Sequence, residues 1–406
     1  MHDIEKVVLQ KIDDMREDII KFQQQLIQHF SEVPPGKYRE ISKFTADKMK
    51  EIGLDTKIKR NNVVGEWGNG NGTTLILNAH LDTVPCYDGW TKNPYGGEII
   101  DNKIYGRGSS DDKACVTAEI FAIKALIDAG IQLNGKVIVT AVVNEEIGGL
   151  GGAEYIVNEG IVRGDACLLG DSSVEYPVAY RGGVLQVSFI IKGVRRHAMF
   201  YPDLPPPNRN KYFGINAIEK MLKIMNFLKV MQEELYKIET KYSVPPDLPA
   251  KISSVNFTQI EGGTSTTTVP DKCVLHCLIN VIPEIDLEEI KTKILDFIEE
   301  MKKNDPLLDI IVQIPIFTEP TKTDIDTKFA KAVKQAYKSI FNEEREFKLL
   351  IGTTDAHHFQ RKSIETILIG PFRGDNNIHA QDEFVYIEDI ITTAKLYALT
   401  ALHYLK

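Results

Sequence analysis

Apolar residues fall along this chain in two rhythms. Short, mainly apolar runs at residues 73–79 (TTLILNA), 136–143 (KVIVTAVV) and 166–169 (ACLL) have the length of strands, and with apolar residues on both alternating faces they predict buried strands. Between the first two, Val116, Ile120, Ile123 and Ile127 recur at helical spacing. They predict a helix over 111–129, stopped by Gly130, with Asp111 and Asp112 at the positive end of its dipole. Strand and helix signals alternating over the first 180 residues predict an α/β domain.

Near residue 184 the texture changes. A strand at 185–192 is followed by a proline-rich stretch at 201–207 and a helix over 216–235. Strands at 251–260 and 273–282 flank the turn EGGTSTTTVPDK; Asp286 and Glu289 then make a capping box for a helix through Met301, and 308–314 reads as a last strand. Strand, helix, strand, strand, helix, strand is the pattern of a ferredoxin-like α+β unit. After residue 318 the α/β texture returns, with a helix over 327–340, a strand at 366–369 and an amphipathic helix from 387. The expected organisation is a discontinuous α/β domain, 1–183 and 316–406, with a smaller domain inserted at 184–315.

Charge narrows the function classes. The 57 acidic and 48 basic residues leave a net charge of −9, unsuited to a nucleic-acid partner, whose phosphates need a basic face. The charged opening MHDIEKVVLQKIDDMREDII has no apolar core of a secretory signal, and no apolar run approaches the roughly 20 residues that span a bilayer, so no membrane role is expected. Five cysteines, odd in number and without a CxxC pair, fit buried thiols in a reducing cytoplasm. There is no HExxH, no GxxxxGK[ST] and no GxSxG, and Gly106-x-Gly108 lacks the third glycine of a dinucleotide loop.

What remains is the placement of His, Asp and Glu. His80 and Asp82 follow the strand at 73–79; Glu145 and Glu146 follow 136–143; Asp171 follows 166–169; His379 follows 366–369; Asp111 opens the helix after a glycine-rich turn. Ligands of an open α/β sheet bind beyond the carboxyl ends of its strands, so five segments deliver metal-capable groups to one rim. His357 and His358 are rivals of His379 and suit a structural or near-site place better. Imidazole plus carboxylate without thiolate suits two divalent ions, zinc first, with cobalt or manganese also fitting. Asp111 is the natural bridge between them. Neighbours on an extended chain point to opposite sides, so Glu145 and Glu146 divide into one general base and one ligand, whereas Asp82 shares a side with His80 and is expected to fix its tautomer.

In order, His80-Leu-Asp82-Thr-Val-Pro, Tyr105-Gly-Arg-Gly-Ser-Ser-Asp111-Asp-Lys, Asn144-Glu145-Glu146, Leu169-Gly-Asp171 and His379-Ala-Gln-Asp-Glu383 resemble the zinc hydrolase family of acetylornithine deacetylase, succinyl-diaminopimelate desuccinylase, aminoacylase and glutamate carboxypeptidase. The resemblance runs over nearly the whole chain. It implies a zinc-peptidase-like mixed-sheet domain with an inserted lid that also forms a homodimer. It further implies His80 and Asp171 on one zinc, Glu146 and His379 on the other, Asp111 bridging, Glu145 as base and Asp82 orienting His80. His197, in Gly193-Val-Arg-Arg-His197, would steady the oxyanion, and Gly263 and Thr264 would belong to a substrate-binding hairpin. The substrate would be an N-acyl amino acid, or in the alternative a short peptide cleaved by a carboxypeptidase or dipeptidase; a non-catalytic binding protein is the remote alternative. Two positions depart from the family: Asn280 stands where relatives often place a carboxylate-gripping arginine, and Thr267 where asparagine is usual. Arg373 is the first expected replacement cation, with Arg181, Arg195 and Arg196 behind it.

Overall fold

The structure, a computed structural model, describes residues 2–70, 72–200, 213–246 and 251–406. The proline-rich stretch expected at 201–207 lies outside them. The chain divides into two compact units, one of Met1–Tyr180, Lys322–Leu349 and Thr354–Lys406, the other of Arg181–Thr321 and Leu350–Thr353.

The first unit is built on a mixed sheet whose order begins Asp55–Lys59, Asn62–Gly68, Gly135–Val142, Thr73–His80, Ala166–Leu169, Glu365–Leu368, Val178–Arg181. Thr73–His80 pairs parallel with Gly135–Val142 on one side and with Ala166–Leu169 on the other, and Ala166–Leu169 pairs parallel with Glu365–Leu368. Four neighbouring strands therefore end at the same rim. They are the apolar runs of the sequence, because side chains on both faces are covered: Leu75, Ile76, Leu77, Val137, Val139 and Leu168 are all fully buried. Helix Lys113–Asp128 packs against strand Thr73–His80 and against the final helix Ile387–Tyr404. It is buried nearly all round, as a helix trapped between sheet and helix must be. Gly130 ends it at φ +65° with its N–H on the Ile127 carbonyl. The three amphipathic helices His2–Asp14, Arg16–Gln28 and Arg39–Glu51 precede the sheet.

The second unit is a four-stranded antiparallel sheet in the order Ser254–Gly262, Lys272–Val281, Gly183–Lys192, Asp309–Thr318, with helices Ala217–Leu235 and Leu287–Asn304. Numbered within the unit the order is 2-3-1-4, the ferredoxin-like arrangement. One face supplies Leu185, Val187, Phe189, Ile191, Leu275 and Ile279 to a core shared with Ile224, Leu228, Ile290 and Ile294 of the helices. Both helices begin on side-chain caps: Asn216 accepts from the amides of Ile218 and Glu219, and Asp286 from those of Glu288 and Glu289. Among the described residues no helix is long and apolar enough to cross a membrane, and all five cysteines are free.

Candidate active site

Parallel strands place their last residues side by side, and here those residues are the polar ones. His80 ends its strand with 2% exposure, and Asp111, with 7%, lies two residues before helix Lys113–Asp128, which begins later than the expected 111. His80 Nε2 lies 3.1 Å from Asp111 Oδ1, while His379 Nε2 lies 3.1 Å from Asp111 Oδ2 and 3.1 Å from Glu146 Oε2. Asp111 thus turns one oxygen toward each imidazole. Donor atoms of His80, Asp111 and Glu146 all fall within 4.8 Å of one another. Asp171 follows strand Ala166–Leu169 at φ +62°, and its charge is felt at Glu145.

Two carboxylates hold this rim together. The sequence expects Asp82 to take the second ring N–H of His80. In the structure Nδ1 meets both the Asp82 backbone carbonyl at 3.0 Å and the Asp82 carboxylate at 3.5 Å, which leaves Nε2 facing Asp111. The same carboxylate also accepts the amides of Glu145 at 3.2 Å and Glu146 at 3.1 Å, a role the sequence did not suggest. Asp112, fully buried, is the residue sequence reasoning missed. Its Oδ2 accepts the His80 amide at 3.1 Å and its Oδ1 the Asp171 amide at 3.3 Å, tying two strand ends to the head of the helix. Only its adjacency to Asp111 hinted at a role.

Glu145 and Glu146 are not on an extended strand end, as the sequence reading expects. The strand stops at Val142, Asn144 turns into the left-handed region at φ +67°, and Glu145–Ile147 forms one 3₁₀ turn. Successive residues of such a turn still diverge, by roughly 120°. The loop is pinned at both ends by the buried Asn62, which accepts from the Val143 amide and donates to the Gly151 carbonyl. Tyr38 donates to Asn144 Oδ1 at 2.6 Å. The loop closes so tightly that a Cβ on Gly152 would stand 1.9 Å from the Val143 carbonyl oxygen, and one on Gly149 2.3 Å from Asp355 Oδ1. His358 bonds Gly148 O through Nε2 at 3.2 Å, so His357 and His358 sit on a helix beside the loop.

The electrostatics follow from many acids gathered with little water. Burial raises the carboxyl of Glu145 well above the ordinary range, with the charges of Asp171 and Asp355 adding to it. Burial likewise raises Glu146, helped by Asp111, and lifts Asp112 to about 7. Burial would raise Asp111 too, but hydrogen bonds from His379 and His80 hold it well below the usual range. His379 is raised to about 10 by Asp111 and Glu146. His80 is also raised, Asp111 and Asp82 outweighing its burial. Acids crowded until some hold their protons, facing imidazoles, form a donor set that fits divalent cations, which replace those protons.

Other expected residues lie elsewhere. Arg373 has its guanidinium on Asp389, with Nε at 2.5 Å and Nη2 at 2.7 Å, so the first expected substrate cation is committed to a buried carboxylate. The reason is local: Asp389, in the first turn of the final helix, is 3% exposed and needs a counter-charge. In the second unit, Arg181 Nη2 donates to the Gly352 carbonyl at 2.8 Å. His197 is exposed and bridges to Thr268, next to the turn that holds Gly263 (φ +80°) and Thr264. Asn280 lies across from Ser254, 3.4 Å from its hydroxyl.

These features can be set beside known proteins. The model of peptidase family M20/M25/M40 matches residues 76–403. An acetylornithine deacetylase of Photorhabdus laumondii is 27% identical over 86% of each chain. N-formyl-4-amino-5-aminomethyl-2-methylpyrimidine deformylase of Bacillus subtilis is 24% identical, covering 95% of this chain and 94% of its own. Among solved structures, human carnosine dipeptidase 1 shares the fold at a TM-score of 0.75 and 18% identity, covering 99% of both chains. The match begins inside strand Thr73–His80 and ends in the last turn of the final helix, so it takes in every strand end of the rim: the chain belongs to peptidase family M20/M25/M40, whose members are hydrolases of amide and peptide bonds.

Proposed function

We propose that this chain hydrolyses the amide bond of an N-acyl amino acid at a site for two divalent cations, zinc first, with cobalt or manganese also suited to the donors. The observation that carries this reading is the two-faced carboxylate of Asp111, one oxygen toward His80 and the other toward His379, whose Nε2 also meets Glu146. His80 with Asp171 would hold one ion and His379 with Glu146 the other, Asp111 being common to both. Such a pair, when bound, lowers the pKa of a water between its members and polarises a carbonyl. Glu145 takes a proton from the attacking water as the new C–O bond forms. It then passes that proton to nitrogen as the C–N bond breaks, leaving a carboxylate and an amine. Burial raises its pKa, which suits a group that must accept a proton and then return it.

Two full-length relatives support the acyl reading, because a deacetylase and a deformylase both remove a small acyl group from nitrogen. His197 as oxyanion donor, Gly263 and Thr264 as substrate contacts, and homodimerisation through the inserted unit enter the proposal on sequence context alone. The test is a panel of N-acetyl, N-formyl and N-succinyl amino acids and dipeptides, assayed after chelation with zinc, cobalt or manganese restored. Acyl amino acids should be the better substrates. Glu145→Gln should keep both metal equivalents and lose on the order of 10²–10⁴-fold in kcat. Faster dipeptide turnover would move the protein to the peptidases, and a fully active Glu145→Gln would remove the base.

A further inference from the structure

The motif His379-Ala-Gln-Asp-Glu383 ends on a glutamate that the chemistry above does not use. Glu383 is fully buried, and its carboxylate is saturated by donors from one short segment of chain. Oε2 accepts Arg107 Nη1 at 2.6 Å and the Gly108 amide at 3.1 Å. Oε1 accepts the Ser110 amide at 3.0 Å and the Asp111 amide at 3.1 Å. Its backbone carbonyl accepts the Gly106 amide at 2.9 Å. Arg107, 1% exposed, reaches onward to the Ala380 carbonyl at 3.3 Å, and Ser110 Oγ lies 3.3 Å from Asn376 Oδ1. Strand Phe384–Tyr386 then pairs with Lys103–Tyr105.

We propose that Glu383 is a positioning residue for the cation pair: by gathering the amides that lead into Asp111, and with Arg107 gripping the His379 loop, it fixes the aim of the shared carboxylate relative to His379. This rests on the dinuclear reading above. The two ligand loops lie 268 residues apart in sequence, counting from 111 to 379, so their relative register depends on contacts made across the fold; the strand pairing aligns the flanks, and the Glu383 carboxylate reaches the Asp111 amide itself. A carboxylate fits because all four partners are donors. Glutamine cannot replace it: whichever way its amide turns, an NH₂ meets two donors, and either the Arg107 and Gly108 pair or the Ser110 and Asp111 pair loses its acceptor.

The test titrates metal-free wild type and Glu383→Gln with cobalt(II), read by its d–d absorption, and with zinc against a chromogenic chelator. Wild type should take two equivalents. Glu383→Gln should bind at least one of them roughly 10–100-fold more weakly, with altered cobalt bands, and when saturated should show a lower kcat at unchanged KM. Two equivalents bound by the variant with wild-type affinity and spectrum would overturn the proposal and leave Glu383 a mere buried ion pair. Wild type that takes up no metal would instead overturn the dinuclear reading itself. Should the variant not fold, hydrogen exchange in the metal-free wild type decides: slow exchange at the Ser110 and Asp111 amides supports a clasp that exists before the ions, and free exchange there refutes it.

Discussion

Asp82→Ala separates two roles that sequence alone merges. The carboxylate is fully buried and accepts two backbone amides, Glu145 at 3.2 Å and Glu146 at 3.1 Å, while the shorter contact to the His80 ring comes from the Asp82 backbone, which the substitution leaves in place. Hydrogen bonds to a charged acceptor contribute roughly 1.5–3 kcal/mol each, so losing both costs about 3–6 kcal/mol in the order of the loop. Glu145 and Glu146 are only half-buried as residues, and water entering beside the alanine would satisfy part of the orphaned amides. The lower end applies, about 3 kcal/mol, or between about 100- and 200-fold in kcat/KM. The assay is steady-state hydrolysis of an N-acyl amino acid at saturating metal, with bound metal counted by mass spectrometry. Near-full metal occupancy with the large kinetic loss is expected. Loss of metal with activity rescued by excess zinc would show that Asp82 serves His80 after all, and a rate within threefold of wild type would refute both roles.

Arg373→Ala should cost about 2 kcal/mol in stability by exposing Asp389 as an unpaired buried acid, with KM changed less than threefold; a tenfold rise in KM at unchanged melting temperature would restore Arg373 as the substrate cation. In the second unit Lys220, 5% exposed at its side chain, pairs with Asp305 beyond the end of helix Leu287–Asn304. Burial would raise Asp305, but the Lys220 hydrogen bond holds its pKa below the usual range. A depressed acid stabilises fully above its unfolded pKa near 4 and loses that contribution as pH falls through the folded value. Lys220→Met should therefore cost about 2 kcal/mol at pH 7 in urea unfolding, and the gap from wild type should shrink progressively below about pH 4.

Most of the scaffold is legible because burial writes it into the residues. A strand covered on both faces is apolar except where a polar side chain finds a buried partner, as Thr140 does on Asn78, and the run 166–169 coincides with Ala166–Leu169. A helix with one buried stripe shows its period, so 216–235 and Ala217–Leu235 differ by one residue. The edge pieces Glu98–Ile100, Lys103–Tyr105 and Phe384–Tyr386 escaped notice because three-residue strands with partly exposed side chains carry no period to detect. The rim was legible as residue types at strand ends, and the structure brings His80, Asp111, Glu146 and His379 together. What sequence could not show is which atoms face which. The Asp82 carboxylate turned to the Glu145 loop, Asp112 to two strand-end amides and Arg373 to Asp389, because each answers a buried partner from a distant segment.

The most direct measurement is anomalous diffraction from crystals of the zinc-loaded protein. Two peaks roughly 3.5–4 Å apart, one at each oxygen of Asp111, with His80 at the first and His379 at the second, are the predicted result. A single peak, or two ions that do not share Asp111, would contradict it.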